Sequence, residues 1–245
     1  MSISAAAPPT SSIQLARVRA GAKLFKDLSI ANISDTYRGQ ILIGPNEVRT
    51  AIIKDIPLRE LANELLAAAL GSALSLPVPP AFIAVASQTN LPAKNAPKLG
   101  GLSLVFASAD VGSPSVAQLM SSAKNDPAAI RAIITSLMQS GCLGDLYGFD
   151  SWTANIDRHV GNLLFAAGRS WFIDHGRCFT GHQWTTAHLD ASAIFRNRLK
   201  DWLTPQLSQA DRARYADGAK TIASRMKGVA ACGTLYESAD IQVDH

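Results

Sequence analysis

Asn155-Ile156-Asp157-Arg158-His159-Val160-Gly161-Asn162 leads into Leu163-Leu164-Phe165, and a few residues on the chain reads Trp171-Phe172-Ile173-Asp174-His175-Gly176. A polar loop here feeds a short apolar strand. Ala167-Gly168-Arg169-Ser170 is a turn, and a second apolar strand follows it and ends in Asp174. Such a hairpin brings Asn162 and Asp174 to one end. An amide oxygen and a carboxylate there suit a hard divalent cation such as Mg²⁺, which takes few protein oxygens and completes its shell with phosphate and water. Asp157 precedes Asn162 in an Asp-x-x-x-x-Asn spacing. Together these residues fit the logic of phosphoryl transfer. One Asp accepts the proton of an attacking hydroxyl, while the Asn and the later Asp hold metal on the phosphates. The expected catalytic set is therefore Asp157, Asn162 and Asp174, with Asn162 and Asp174 as the metal ligands.

Chemistry of this kind also needs a cation for the α- and β-phosphates, and a carboxylate to hold that cation. Val48 to Lys54 is rich in Val, Ile and Thr and reads as a strand ending in Lys54. Ile41 to Ile43 is its hairpin partner across Gly44-Pro45-Asn46. From Leu58 to Leu74 apolar residues fall at 58, 61, 62, 65, 66, 69, 70 and 73, which is helical spacing. Glu64 lies on that helix, ten residues after Lys54. The helix stops before Pro77, Ala81 to Ala86 forms a strand, and Leu102 to Ala107 returns antiparallel to it. Val105 to Asp110 then occupies the place of a strand against which an adenine ring rests, with Val105 and Ala107 as contacts. Ser34-Asp35-Thr36-Tyr37-Arg38-Gly39 would cover the phosphates through Thr36 and Gly39, although it has one Gly and no GxGxxG.

At these residues the sequence resembles a known group. The segment NIDRHVGNLLF…WFIDHG is similar to the catalytic and metal-binding motifs of the HipA-like kinases, in their compact single-domain form, and to type II phosphatidylinositol 4-kinases. The segment IIKDIPLRELANELLAAALGSALSLPVPPAFIAV resembles the nucleotide lysine, helix and Leu-Pro-Val-Pro passage of that group. The resemblance covers roughly residues 35–180. It implies an α+β, protein-kinase-like fold of two lobes, with ATP in the cleft between them and Mg²⁺ as its metal. The first lobe is expected over residues 15–110 and the second over 111–245, after an N-terminal segment (1–14) without fixed structure. The resemblance further implies a protein Ser/Thr acceptor and, in several members, a toxin role paired with an antitoxin or regulator. A lipid kinase is the competing enzyme reading, and it lacks the Cys-rich membrane-docking loop. A nucleotide-binding pseudokinase is the non-catalytic one, left open by the single-Gly loop.

Composition limits the remaining classes. The 245 residues carry 23 Lys+Arg and 19 Asp+Glu, a net charge of +4, with 47% hydrophobic and 17% charged residues. Such a chain is neither polar nor charged enough for intrinsic disorder, and its charge is too dilute to argue for nucleic acid. From Leu65 to Leu91 no residue is charged, and Leu65 to Ala86 alone is long enough for a bilayer. Pro77, Pro79 and Pro80 interrupt it, so a buried helix, a turn and a buried strand are expected, and no transmembrane segment. Met1 to Ser12 lacks the basic start and apolar core of a secretory signal. Cys142, Cys178 and Cys232 have no CxxC spacing and read as reduced core thiols in a cytoplasmic protein.

Beyond the motif, Ser115 to Met120, Pro127 to Gly144, Asp190 to Trp202 and Ser208 to Lys227 are expected as helices. Arg158 reads as a brace for the catalytic loop, with Asp150 and Asn155 beside it, and His159 as a residue hydrogen-bonded beneath that loop. Without Cys neighbours, His159 and His175 do not read as zinc ligands. Residues 196–227 carry eight basic and three acidic side chains, a solvated helical face or a dock for an anionic partner such as tRNA on a target or an acidic membrane.

Overall fold

The computed structural model describes residues 13–25, 35–166, 168–190 and 194–229; Met1–Ser12, Ser34 and Cys232 lie outside them. Strands β1 (Gln14–Val18) and β2 (Lys23–Leu24) come first, followed by the hairpin β3 (Thr36–Ile43) and β4 (Glu47–Lys54). Helix α1 (Leu58–Ala73), β5 (Ala81–Ala86), β6 (Lys98–Leu99) and β7 (Leu102–Ala109) complete the N-terminal half. The β3–β4 turn, α1, β5 and β7 stand where the periodicities place them. Thr36 to Gly39, expected in a phosphate-covering loop, instead belong to β3.

The sheet closes on itself, which the sequence did not announce. β1 pairs in parallel with β5 and antiparallel with β3, while β5, β7, β4 and β3 follow one another. Five strands therefore form a ring. Its inside is filled by Ala16, Ala51, Ala84 and Ala107 together with Val18, Ile41, Ile53, Phe82 and Val105. Small side chains among large ones are what a narrow barrel requires. On the outer face, Ile56, Leu61 and Phe106 form a second cluster, supported by Leu65 and Leu104, which seats α1 against the sheet. The uncharged stretch is resolved here. Ala67, Ala69, Leu70, Leu74, Phe82, Ala84 and Leu91 are all buried. Among the described residues no helix is long and apolar enough to cross a membrane.

The C-terminal half is helical around one small hairpin. It contains α2 (Val116–Ser122), α3 (Pro127–Gln139), α4 (Leu143–Trp152), the hairpin β8 (Leu163–Ala166) and β9 (Arg169–Phe172), α5 (Arg198–Leu203) and α6 (Gln209–Gly228). The helix expected over 127–144 breaks: α3 ends at Gln139, and Gly141 adopts φ +71, which favours glycine. α4 then begins at Leu143 and runs to Trp152, beyond the Gly144 at which the expected helix ended. Of the helix expected over 190–202, residues 191–193 lie outside the described ones, 194–197 are not helical, and α5 runs Arg198–Leu203, started by Asn197, whose side chain accepts from the Lys200 amide. Apolar residues of α3, α4, β8, β9, α5 and α6 share one core that includes Leu137, Leu146, Phe149, Leu163, Phe172 and Ile222. α4 and α6 approach so closely that a Cβ on Gly144 would lie 2.7 Å from the Gly218 Cα. The architecture is α+β: a sheet-and-helix lobe joined by the short passage Asp110–Ser115 to a helical lobe.

Candidate active site

β4 lies between β3 and β7, so its last residue is flanked on both sides. Thr36 and Phe106 are the cross-strand partners of Lys54. Side chains of paired residues share a face, and all three line one cleft beneath the sheet. One step along the strands, Arg38, Ile52 and Ser108 form the next row of the same roof. Because strand side chains alternate, Val105 and Ala107 point the other way. Both are fully buried in the ring and outside the cleft lining. Gly39 packs against Ala22, where an added Cβ would come within 2.9 Å, and it too is absent from the lining. The residues of β7 that face the cleft are Phe106 and Ser108. Counting by twos from the roof residue Lys54 and its register partner would have found them, but that register is long-range.

Lys54 is held at the centre. Its Nζ donates to Glu64 Oε1 at 2.5 Å and to Asp174 Oδ1 at 2.8 Å. Glu64 is buried on α1, and its other oxygen accepts the backbone N–H of His175 at 3.0 Å. Burial by itself would lower the Lys54 pKa, but Asp174 and Glu64 outweigh it and carry it above its ordinary value. For Asp174 burial acts upward, and the ammonium beside it prevails, holding the carboxyl well below the usual carboxylate range. The strand end is anchored from behind by Asp55. This buried carboxylate accepts the backbone N–H groups of Lys94, Asn95 and Ala96 at 2.7, 3.0 and 2.8 Å.

The floor of the cleft is the β8–β9 hairpin and the loop before it. β9 ends at Phe172, two residues before Asp174, which sits at φ +61. Asp is one of the few residues other than Gly that tolerate this conformation. The hairpin is drawn together past its ladder by the Ile173 N–H, which donates to the Asn162 carbonyl at 3.1 Å. Arg158 supplies the brace expected of it, fully enclosed. Its guanidinium grips Asp150 through Nε (3.0 Å) and Nη2 (3.1 Å), and Nη1 donates to the carbonyl of Ile173 at 2.7 Å. Nη2 also donates to His175 Nδ1 at 3.1 Å. Burial first, and Arg158 second, push the His175 pKa well down, so this imidazole stays neutral. Asn155 adds its amide to Asp150 and accepts the Asp157 N–H. His159 accepts the Gly161 N–H on Nδ1 at 3.0 Å.

Lys54, Glu64, Asp157, Asn162 and Asp174 therefore share one cleft, drawn from both lobes. Asn162 is buried, and its Oδ1 has no hydrogen-bond partner. A buried amide oxygen left unpaired is costly unless something else comes to it. Asp157 forms an ion pair with Arg198, which lies at the start of α5. The sequence had marked Arg198 only as part of the basic face of residues 196–227, because its pairing with Asp157 spans 41 residues.

A comparison with solved structures finds a proinflammatory kinase, CtkA, of Helicobacter pylori, at 12% identity and a TM-score of 0.47 over 89% of this chain and 97% of that one. No curated protein matches by sequence. The family model described as HipA-like kinase matches residues 51–232, which takes in Lys54, Glu64, Asp157, Asn162 and Asp174. The chain belongs to the HipA-like kinase family.

Proposed function

We propose that the protein is an ATP- and Mg²⁺-dependent kinase that moves the γ-phosphate of ATP to a hydroxyl of a protein Ser or Thr. The observation that carries this reading is that the five residues line one cleft and that one of them, Asn162, has a buried oxygen without a hydrogen-bond partner. The donor set fits Mg²⁺. Asn162 Oδ1 and the Asp174 carboxylate are two hard oxygens, the number this ion takes from protein when phosphates and water supply the rest. When bound, the ion neutralises charge on the phosphate oxygens.

The chain's own groups have separate tasks. Lys54 exchanges Asp174 for the phosphates while Glu64 keeps it in place. Phe106, Ile52 and Ser108 offer an apolar, partly polar roof for the base and sugar. Asp157 takes the proton of the acceptor hydroxyl, and its ion pair with Arg198 orients that carboxylate. Arg158, held by Asp150, fixes the carbonyls of Asn162 and of Ile173, the residue before Asp174, so the geometry is set before nucleotide arrives. The protein acceptor and a regulatory partner of antitoxin kind are supported by the family resemblance, and a cytoplasmic setting by the three sparse cysteines without CxxC spacing.

Labelled ATP tests the reading. With Mg²⁺ and cell lysate, γ-label should appear on protein, α-label should not, and Asp174→Ala should abolish the signal. Label found on α-ATP products, or on lipid vesicles in place of protein, would overturn it.

A further inference from the structure

Asn63 precedes Glu64 on α1, is fully buried, and sends its polar atoms into the other lobe. Its Nδ2 donates to the carbonyls of Gly176, Cys178 and Gly181 at 2.8, 3.0 and 3.1 Å. Its Oδ1 accepts the indole N–H of Trp184 at 2.9 Å. An amide has two donor hydrogens and one acceptor oxygen; the two hydrogens are shared among the three carbonyls, and the side chain is fully committed to the segment that follows Asp174. A buried amide is costly unless it is hydrogen-bonded, and an apolar residue would serve packing alone at less cost, so these partners are what Asn63 is there for. Two neighbours on the same helix face touch the same segment. Glu64 accepts the His175 N–H, and Glu60 lies 3.9 Å from Arg177. Positions i, i+3 and i+4 of α1 thus clasp one segment, Asn63 and Glu64 through its backbone and Glu60 through the Arg177 side chain.

We propose that Asn63 is a positioning residue that locks α1 to the segment 175–184, so that Glu64 holds Lys54 in its productive place with no modification of that segment. The inference rests on the phosphotransfer reading of the cleft. In kinases whose helix swings, ordering of this segment is what sets the Lys–Glu pair. In this protein the ordering is supplied by one unmodified amide.

The test uses the full chain and three substitutions, Asn63→Ala, Trp184→Phe and Glu64→Gln. Asn63→Ala should lower kcat for γ-phosphate transfer by about 10- to 100-fold, the scale of a small misplacement, with KM for ATP changed by less than about threefold. Trp184→Phe keeps the ring packing, removes one bond, and should give a smaller drop of the same kind, which serves if Asn63→Ala does not fold. Combined with Glu64→Gln, either substitution should add little beyond Glu64→Gln alone, because both act through the same pair. Hydrogen exchange should rise at amides 175–184 in Asn63→Ala. Multiplicative losses, or unchanged exchange there, would overturn the inference while wild-type transfer still stood. Absence of transfer by wild type would instead sink the reading beneath it.

Discussion

Lys54 Nζ and Asp174 Oδ1 lie 2.8 Å apart although 120 residues separate them in the chain. The strand-end lysine of one lobe is thus held by the carboxylate expected to carry metal in the other. On the proposed reading, nucleotide exchanges this pair for two new ones, lysine to phosphate and carboxylate to cation. Asp174→Asn should therefore abolish transfer yet cost the nucleotide-free protein little. Asp174 is 48% exposed, so the pair is screened on one side, and its loss should cost under about 1 kcal/mol in urea unfolding.

The same pair sets a pH signature. Asp174 titrates below its ordinary range in the folded protein. Its contribution is present above the unfolded carboxylate value of about 3.9 and is lost as pH falls through the depressed folded one. Lys54 titrates above its ordinary range, so its part is present below about 10.4 and is lost as pH rises through the folded value. The stability difference between wild type and Asp174→Asn should be flat from about pH 5 to 9 and should shrink progressively as pH falls below about 4 toward the depressed folded value. Urea midpoints across pH read this directly.

The enclosed Arg158–Asp150 pair behaves differently. Arg158→Met strands a buried carboxylate and frees the carbonyl of Ile173, and should cost about 3–5 kcal/mol. The double substitution Arg158→Met, Asp150→Leu should recover part of that stability by removing the stranded charge. It should not recover Mg·ATP affinity, because Ile173 still lacks its anchor beside Asp174. Unfolding curves and calorimetric titration on both proteins separate the two effects.

Helix crossing supplies a test of the fold alone. A Cβ on Gly144 meets the Gly218 Cα and the Tyr215 carbonyl at 2.7 Å, and backbone atoms cannot step aside. Gly144→Ala should destabilise by about 1–3 kcal/mol. Gly228, at the end of α6 with nothing near its Cβ, should accept Ala at no cost.

What could be read from residue order was local. Lys54 ending a strand, Glu64 on the next helix, and the order Asp157, Asn162, Asp174 all follow from short-range periodicity and turn residues, and the structure gathers them in one cleft. What stayed hidden depended on distant pairing. The ring closed by β1 needs partners from two other strands. The face of β7 that meets the cleft is fixed by its register with β4, so Val105 and Ala107 turned inward where Phe106 and Ser108 face the site. The break at Gly141 was masked because apolar residues continue on both sides of it. Asn63 carried no signal, since an amide in a helix is ordinarily a surface residue.

The central claim is that Asp157 accepts the proton of an acceptor hydroxyl in a cleft that otherwise binds Mg·ATP intact. Transfer of γ-label by Asp157→Asn, measured beside its Kd for Mg·ATP, tests it most directly. Transfer should fall about 100-fold or more while Kd stays within about threefold of wild type. Asp157→Asn protein that transfers label as fast as wild type would contradict the account.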